Sequence, residues 1–237
     1  MTGPLLEVSD VAKDYRALRP LRIARLAVAA GELIAIVGLD QAAAEVFVNL
    51  VTGATLPDRG EVKLFGRPAA SIDDSADWLR LVDRFGIVTE RAVLLEALSV
   101  TQNLAMAFTL EIEPPPEDVR GRAQALAREV ELPDSAWEQP VADLNRADRM
   151  RVRLARALAL DPAIVLLEHA TATLPRADIL PFARHLRHVA DRRGAALIAA
   201  TADEEFAGAV ADRILRLDPA TGRLAERRRG RLMRYFF

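Results

Sequence analysis

Apolar positions change period several times along the chain, and each change marks an element. Leu33–Val37 is apolar at every position, the pattern of a strand buried on both faces of a parallel sheet. "AIVLLE" (163–168), a buried strand with an acid at its end, and "AALIAAT" (195–201) follow as further core strands, and "DRILRL" (212–217) reads as a fourth. Leu6–Val8 and Leu21–Val28 read as shorter strands ahead of the first run. After Val37 the period becomes helical: Val46, Phe47, Leu50 and Val51 share one face, and Gly53 provides the stop. "LPDRGEVKLFG" (56–66) reads as turn, strand, turn. Helices are predicted over Arg149–Leu160, ended by Asp161–Pro162, and over Ile179–Arg193. From about Asp73 to Leu144 the pattern is helical and more polar, with a break at Glu113–Asp118 ("EPPPED") that starts a new helix. This stretch reads as an inserted helical subdomain.

Strands alternating with helices predict an α/β fold with a mostly parallel sheet and right-handed crossovers. Ligands in such sheets sit beyond the C-terminal strand ends. Three of those ends, Gly38–Glu45, Glu168–His169 and Thr201–Asp203, should converge on one crevice. The length of 237 residues suits a single large domain over 1–237 carrying the inserted region. The hydrophobic fraction of 51% supports a sizeable core, and the net charge of −2 gives no global attraction for nucleic acid. The absence of cysteine removes disulfides and thiolate metal sites and suits a reducing compartment. No basic stretch followed by an apolar one opens the chain, so no signal peptide is expected, and no apolar run is long enough for a bilayer.

The segment Ile34–Ala54, "IAIVGLDQAAAEVFVNLVTGA", has the strand, turn and helix of a phosphate-binding loop. Together with "FGIVTERAVLLEALSVTQNL" (85–104), "LNRADRMRVRLARALALDPAIVLLEHATATLP" (144–175) and "ALIAATADEEFAGAVADRILRL" (196–217), it resembles the nucleotide-binding subunit of ATP-binding cassette (ABC) transporters over nearly the whole length. The resemblance implies a P-loop core with an antiparallel β subdomain and a helical subdomain. It places Tyr15 at the aromatic that stacks on adenine and Gly38 at the first glycine of the phosphate loop.

The scaffold positions match that family and most chemical positions do not. After Asp40, Gln41 and Ala43 stand in place of glycines, Ala44 in place of the lysine, and Glu45 in place of the magnesium-holding hydroxyl. Glu90 replaces the glutamine of its loop, and Asn145, Arg146, Ala147 and Asp148 replace the signature. Glu168 keeps a carboxylate at the magnesium-water position, and His169 takes the place of the catalytic glutamate. Pro175 replaces the following aspartate and Ala202 the switch histidine. A phosphate loop works through curled backbone N–H groups and a lysine's positive charge. Unit charges about 4 Å apart interact by roughly 4 kcal/mol at an effective dielectric near 20. Exchanging that attraction for a carboxylate's repulsion predicts weak ATP and Mg²⁺ binding and absent or very weak hydrolysis.

Asp40 is also suited to cap the helix that follows, with one carboxylate taking the place a phosphate would use. His169 is either a base or a histidine fixed at a strand end. Glu45, Glu90 and Glu168 are a candidate oxygen-ligand cation site beside the simpler reading of solvated acids. His185 and His188, three apart on a helix, read as surface residues. Arg146 suits either a partner's phosphate or an acid in the same chain or in an identical subunit. The apolar pattern of Arg91–Phe108 suits docking of a membrane permease or packing of the subdomain core. The tail 226–237 mixes arginines with aromatics and suits an anionic membrane surface or a terminal strand. The expected protein is a catalytically degenerate transporter cassette, cytoplasmic and peripheral at the inner face of the membrane through a partner. The partners expected are a permease, and a homodimer or heterodimer with another cassette. An active subunit with unconventional chemistry and an interaction module outside transport are the alternatives.

Overall fold

The computed structural model describes residues 3–226; the tail expectation for 226–237 falls almost wholly outside them. Two sheets form the frame. The first is antiparallel, in the order β2-β1-β4-β5, from β1 (Leu6–Lys13), β2 (Leu21–Val28), β4 (Arg59–Leu64) and β5 (Arg67–Pro68). The second has the order β10-β9-β3-β8-β7-β6. Its members are β3 (Leu33–Val37), β6 (Phe85–Thr89), β7 (Ile164–Glu168), β8 (Ala196–Ala200), β9 (Arg213–Leu217) and β10 (Leu224–Glu226). All its pairings are parallel except β10 with β9.

The all-apolar strands follow from packing on both faces. Leu33, Ala35 and Val37 enter one hydrophobic cluster, while Ile34 and Ile36 enter another. Strand β7 divides likewise, with Val165 and Leu167 on one side and Ile164 and Leu166 on the other. One cluster contains apolar residues of α3 (Val100–Ala105), α4 (Glu117–Glu129), α5 (Arg146–Leu158), α6 (Arg176–Arg193) and α7 (Glu204–Val210). The other contains α1 (Gln41–Val51) and the antiparallel sheet. Side chains alternate across a strand, so the positions covered on both faces are apolar, and the one polar residue of β7, Glu168, stands at its end.

The structure corrects several sequence expectations. Within 73–144, α2 (Ser75–Val82) is followed by β6, which pairs with β7 in the central sheet. The helices beyond the sheet are therefore α3 and α4. Gly86 explains the concealment: a Cβ there would lie 2.4 Å from the Ala157 carbonyl, so β6 is fitted to α5 by a contact remote in sequence. Helix α5 begins at Arg146 rather than Arg149, because Asn145 caps it by accepting from the Asp148 N–H. Helix α6 begins at Arg176, directly after Pro175. Among the described residues no helix is long and apolar enough to cross a membrane.

A candidate nucleotide crevice closed by an arginine

The crevice is built by the ends of β3, β7 and β8. Gly38 leaves β3 with φ near +100°, and a Cβ there would press to 3.0 Å on the Leu217 carbonyl. Glycine is what that turn tolerates. Asp40 then caps α1: its Oδ1 accepts from the Ala43 N–H at 2.8 Å, and its carbonyl accepts from the Ala44 N–H at 2.9 Å. A carboxylate of the chain itself thus satisfies the start of the helix. Ala44, at the lysine position, is fully buried and packs in the core.

Glu168, at the end of β7, has a side chain with no solvent exposure. Its carboxylate accepts from Gln41 Nε2 at 2.6 Å, from Arg91 Nε at 3.0 Å and from Arg91 Nη2 at 2.5 Å. Arg91 Nη1 also reaches Glu45 at 2.7 Å. One guanidinium therefore joins the Glu45 carboxylate of α1 to the Glu168 carboxylate that ends β7. Those hydrogen bonds to Glu168, followed by its charge and that of Glu45, hold the Arg91 guanidinium protonated beyond its ordinary range. Bidentate arginine is well shaped for this task, since its planar fork matches a carboxylate.

Arg91 is the residue that sequence reasoning missed. It belongs to the segment read as a docking element, one residue past Glu90, and no motif marks it. The available signal was charge balance: a new acid, Glu45, added beside the retained carboxylate of Glu168 where the lysine is lost, requires a cation from somewhere.

The candidate cation site of Glu45, Glu90 and Glu168 does not assemble. Glu45 and Glu168 share Arg91, whereas Glu90 receives a short hydrogen bond from the Thr173 hydroxyl and lies 3.9 Å from Arg153. No group of three or more metal-ligating side chains occurs among the described residues. The donor set also does not fit a magnesium–triphosphate group. It has no lysine or hydroxyl at the loop, and its two carboxylates already hold a tethered cation.

Tyr15 is half-buried beside this loop, and burial, with the charge of Asp40, raises its phenol. His169 adopts φ near +45° and fixes the strand end through its backbone N–H, which donates to Ala200 O at 2.9 Å. His169 is nine-tenths buried and its Nε2 has no hydrogen-bond partner, so Nε2 does not supply the strand-end bond. His169 and Ala202 line a neighbouring cleft of about 530 Å³ with Asp203 and Arg176. In the signature segment, Asp148 pairs with Arg151 at 2.9 Å and receives a hydrogen bond from Asn145 Nδ2 at 2.7 Å; Arg146 is exposed and Ala147 half-buried. His185 is corrected: it lies on the buried face of α6, with Nδ1 3.0 Å from Glu131, while His188 is exposed.

A parallel sheet entered through a glycine turn into a helix, with an acid ending the next-but-one strand, defines a P-loop NTPase-type domain. The added antiparallel sheet and helical region make it a cassette. The chain belongs to the ABC transporter family, whose model matches residues 21–172. It is 30% identical over 218 residues to a methionine import ATP-binding protein, MetN, of Brucella abortus (strain 2308), covering 92% of this chain and 58% of that one. A sulfate/thiosulfate import ATP-binding protein, CysA, of Mesorhizobium japonicum is 29% identical, with 89% of this chain and 60% of that one covered. The chain thus spans under two thirds of the length of these relatives. Among solved structures, cbiO1 of Clostridium perfringens, part of the transporter complex cbiONQ, superposes with a TM-score of 0.78 at 19% identity, covering 94% of this chain and 87% of that one. A dimeric bacterial ABC transporter cassette, MJ0796, gives 0.77 at 21%, covering 94% and 98%.

Proposed function

We propose that this chain is a structural or regulatory cassette of an ABC import system, with its own nucleotide site closed by Arg91 and with ATP hydrolysis absent or very weak. The observation that carries this reading is the bridge of one guanidinium between Glu45 and the fully buried Glu168. A nucleotide's magnesium would need both carboxylates, and its phosphates would meet Glu45 with no lysine to offset it. The alternative of an active site based on Tyr15, Glu168 and His169 requires a Glu168 available to a metal, and that carboxylate is already bonded by Gln41 and Arg91.

The same reading docks the chain on a membrane permease, at the cytoplasmic face. A groove of about 330 Å³ runs between β6, α3 and α5, with Phe85, Ile87, Met106, Arg156 and Leu160 among its walls. Val93 and Leu160 are exposed apolar residues at this surface. The segment Arg91–Phe108 divides between roles: Val100, Leu104 and Ala105 form subdomain core, while Val93 is left outside. Apolar groove contact requires no nucleotide. Calorimetric titration of the purified chain with ATP, with and without magnesium, is the test, alongside purification from native membranes. We expect no binding at micromolar ATP and recovery with a multi-spanning membrane protein. Micromolar affinity for ATP sinks the degenerate site, and a chain recovered without any membrane protein sinks the docking.

A further inference from the structure

Helix α1 has 11 residues and, at 1.5 Å per residue, carries the chain about 16 Å away from the crevice. At its far end Trp78 of α2 is held across the helix terminus, its Nε1 donating to Thr52 O at 3.2 Å. A hollow of about 390 Å³ opens there, with Leu56, Ala69, Ile72 and Trp78 as apolar walls and Asp73 and Asp74 beside them. Leu56 is left exposed. Asp74 caps α2, accepting from the Asp77 N–H at 2.7 Å, whereas Asp73 is exposed and makes no side-chain hydrogen bond or ion pair with any described residue. The clefts of about 330, 510, 530 and 610 Å³ elsewhere each have arginine on their walls. Among the described residues, no cation lines this one. The nearby Arg67 and Arg80 are drawn to Asp77, at 2.7 and 3.7 Å. The hollow is therefore apolar within, acidic at its edge and without a cation of its own.

Strand β10 leads away from the crevice as well, pairing Leu224 with Leu217 at the crevice end of β9 and Glu226 with Leu215. Residues 227–237, "RRRGRLMRYFF", follow it, with arginines set among Leu232, Met233, Tyr235, Phe236 and Phe237. Eleven residues reach at most about 40 Å when extended. The turn before β10 adjoins β2, since the Ala24 N–H donates to Gly222 O at 2.8 Å. From β2 the antiparallel sheet runs β2-β1-β4-β5, about 15 Å across three strand spacings, and Ala69 and Ile72 come directly after β5. The hollow thus lies well within reach. We propose that it is the docking site of residues 227–237 of the same chain. Guanidinium groups pair with the aspartates and stack on the indole, while the aromatic and aliphatic side chains fill the apolar walls. This contact lies apart from the nucleotide crevice and goes beyond the proposed function.

The chain has no cysteine, so an introduced pair gives an unambiguous cross-link. The test is the rate of disulfide formation in the full chain carrying Met233→Cys with Ser75→Cys, on the wall of the hollow. The comparison carries Met233→Cys with Ser9→Cys, an exposed position on β1, closer to β10 in the sheet order. We expect the first pair to close about tenfold or more faster, because docking raises the effective concentration at the hollow. Its rate should not depend on protein concentration. Asp73→Lys should slow it about threefold or more, and added salt should slow it too. Circular dichroism checks that each variant is folded. Equal rates for the two pairs overturn the proposal, as does a rate indifferent to Asp73→Lys. Disulfides that form only between chains overturn it in favour of a second copy. Vesicles of phosphatidylglycerol test the other acidic surface: equal rates together with a chain that sediments with the vesicles assign the segment to a membrane and overturn the proposal.

Discussion

Two arginines perform the same bidentate chemistry in different regions, and the comparison separates a substituted site from a structural clamp. Arg91 joins Glu45 and Glu168 in the crevice. Arg193, near the end of α6, holds Glu129 of α4 through Nε at 2.9 Å and Nη2 at 2.6 Å, and caps the Leu158 carbonyl at 2.8 Å. The clamp is symmetric, each side chain being 17% exposed. The crevice is not: Arg91 is 43% exposed and Glu168 is not exposed at all. In the clamp, two groups become buried together as helices pack. In the crevice, a strand end dictated by the fold buries a carboxylate, and the cation must come to it.

The largest expected effect breaks the comparison on the crevice side. Arg91→Ala leaves Glu168 buried with Gln41 as its remaining hydrogen-bond donor. Removing one partner of a buried pair costs about 3 kcal/mol or more, reduced here by the solvent that reaches Arg91. Urea denaturation should show that loss. Replacing both partners, Arg91→Met with Glu168→Met, should return most of it, since apolar pairs of similar volume are often neutral. If the double variant is no more stable than Arg91→Ala, the cost lies in packing and not in an orphaned charge.

The clamp offers a smaller effect with a distinct signature. The hydrogen bonds from Arg193, aided by its charge, hold the Glu129 carboxyl below its ordinary value near 4.5. A depressed folded value means that the stabilisation is fully present above the unfolded one and lost as pH falls through the folded one. Wild type should therefore lose stability below about pH 4.5 more steeply than Glu129→Gln, whose thermal midpoint at neutral pH is already lower, by an amount equivalent to about 2 kcal/mol. Parallel acid profiles for the two proteins would remove Glu129 from the acid transition.

The parts of this molecule legible in the sequence are those set by local periodicity. The runs at Leu33–Val37 and Ile164–Glu168 announce strands because both faces are covered, and Gly38 and Gly53 punctuate α1 at its two ends. Strand β6 was concealed because what fixes it is Gly86 against Ala157, a contact between elements. Arg91 was concealed for a similar reason. Its role arises where three segments meet, and an arginine between a glutamate and an alanine has no pattern of its own. Asp40, by contrast, was readable as a cap, since capping is settled within one turn of helix.

The smallest effect sharpens the comparison within the crevice itself. Glu45 and Arg91 are each 43% exposed and meet at 2.7 Å, so their pair is screened by solvent although its distance matches the buried one. Exposed pairs of this kind contribute about 0.2–1 kcal/mol. Glu45→Ala should therefore shift urea denaturation by no more than that, and added salt should shrink the difference further. A double-mutant cycle for positions 45 and 91 should give a coupling several-fold below that for 91 and 168, because Glu168 alone lacks water as an alternative partner. Equal couplings would mean that Arg91 acts as one shared charge over the crevice. Unequal ones would mean that Glu168 is the group Arg91 is needed for, with Glu45 steering the free edge of the guanidinium.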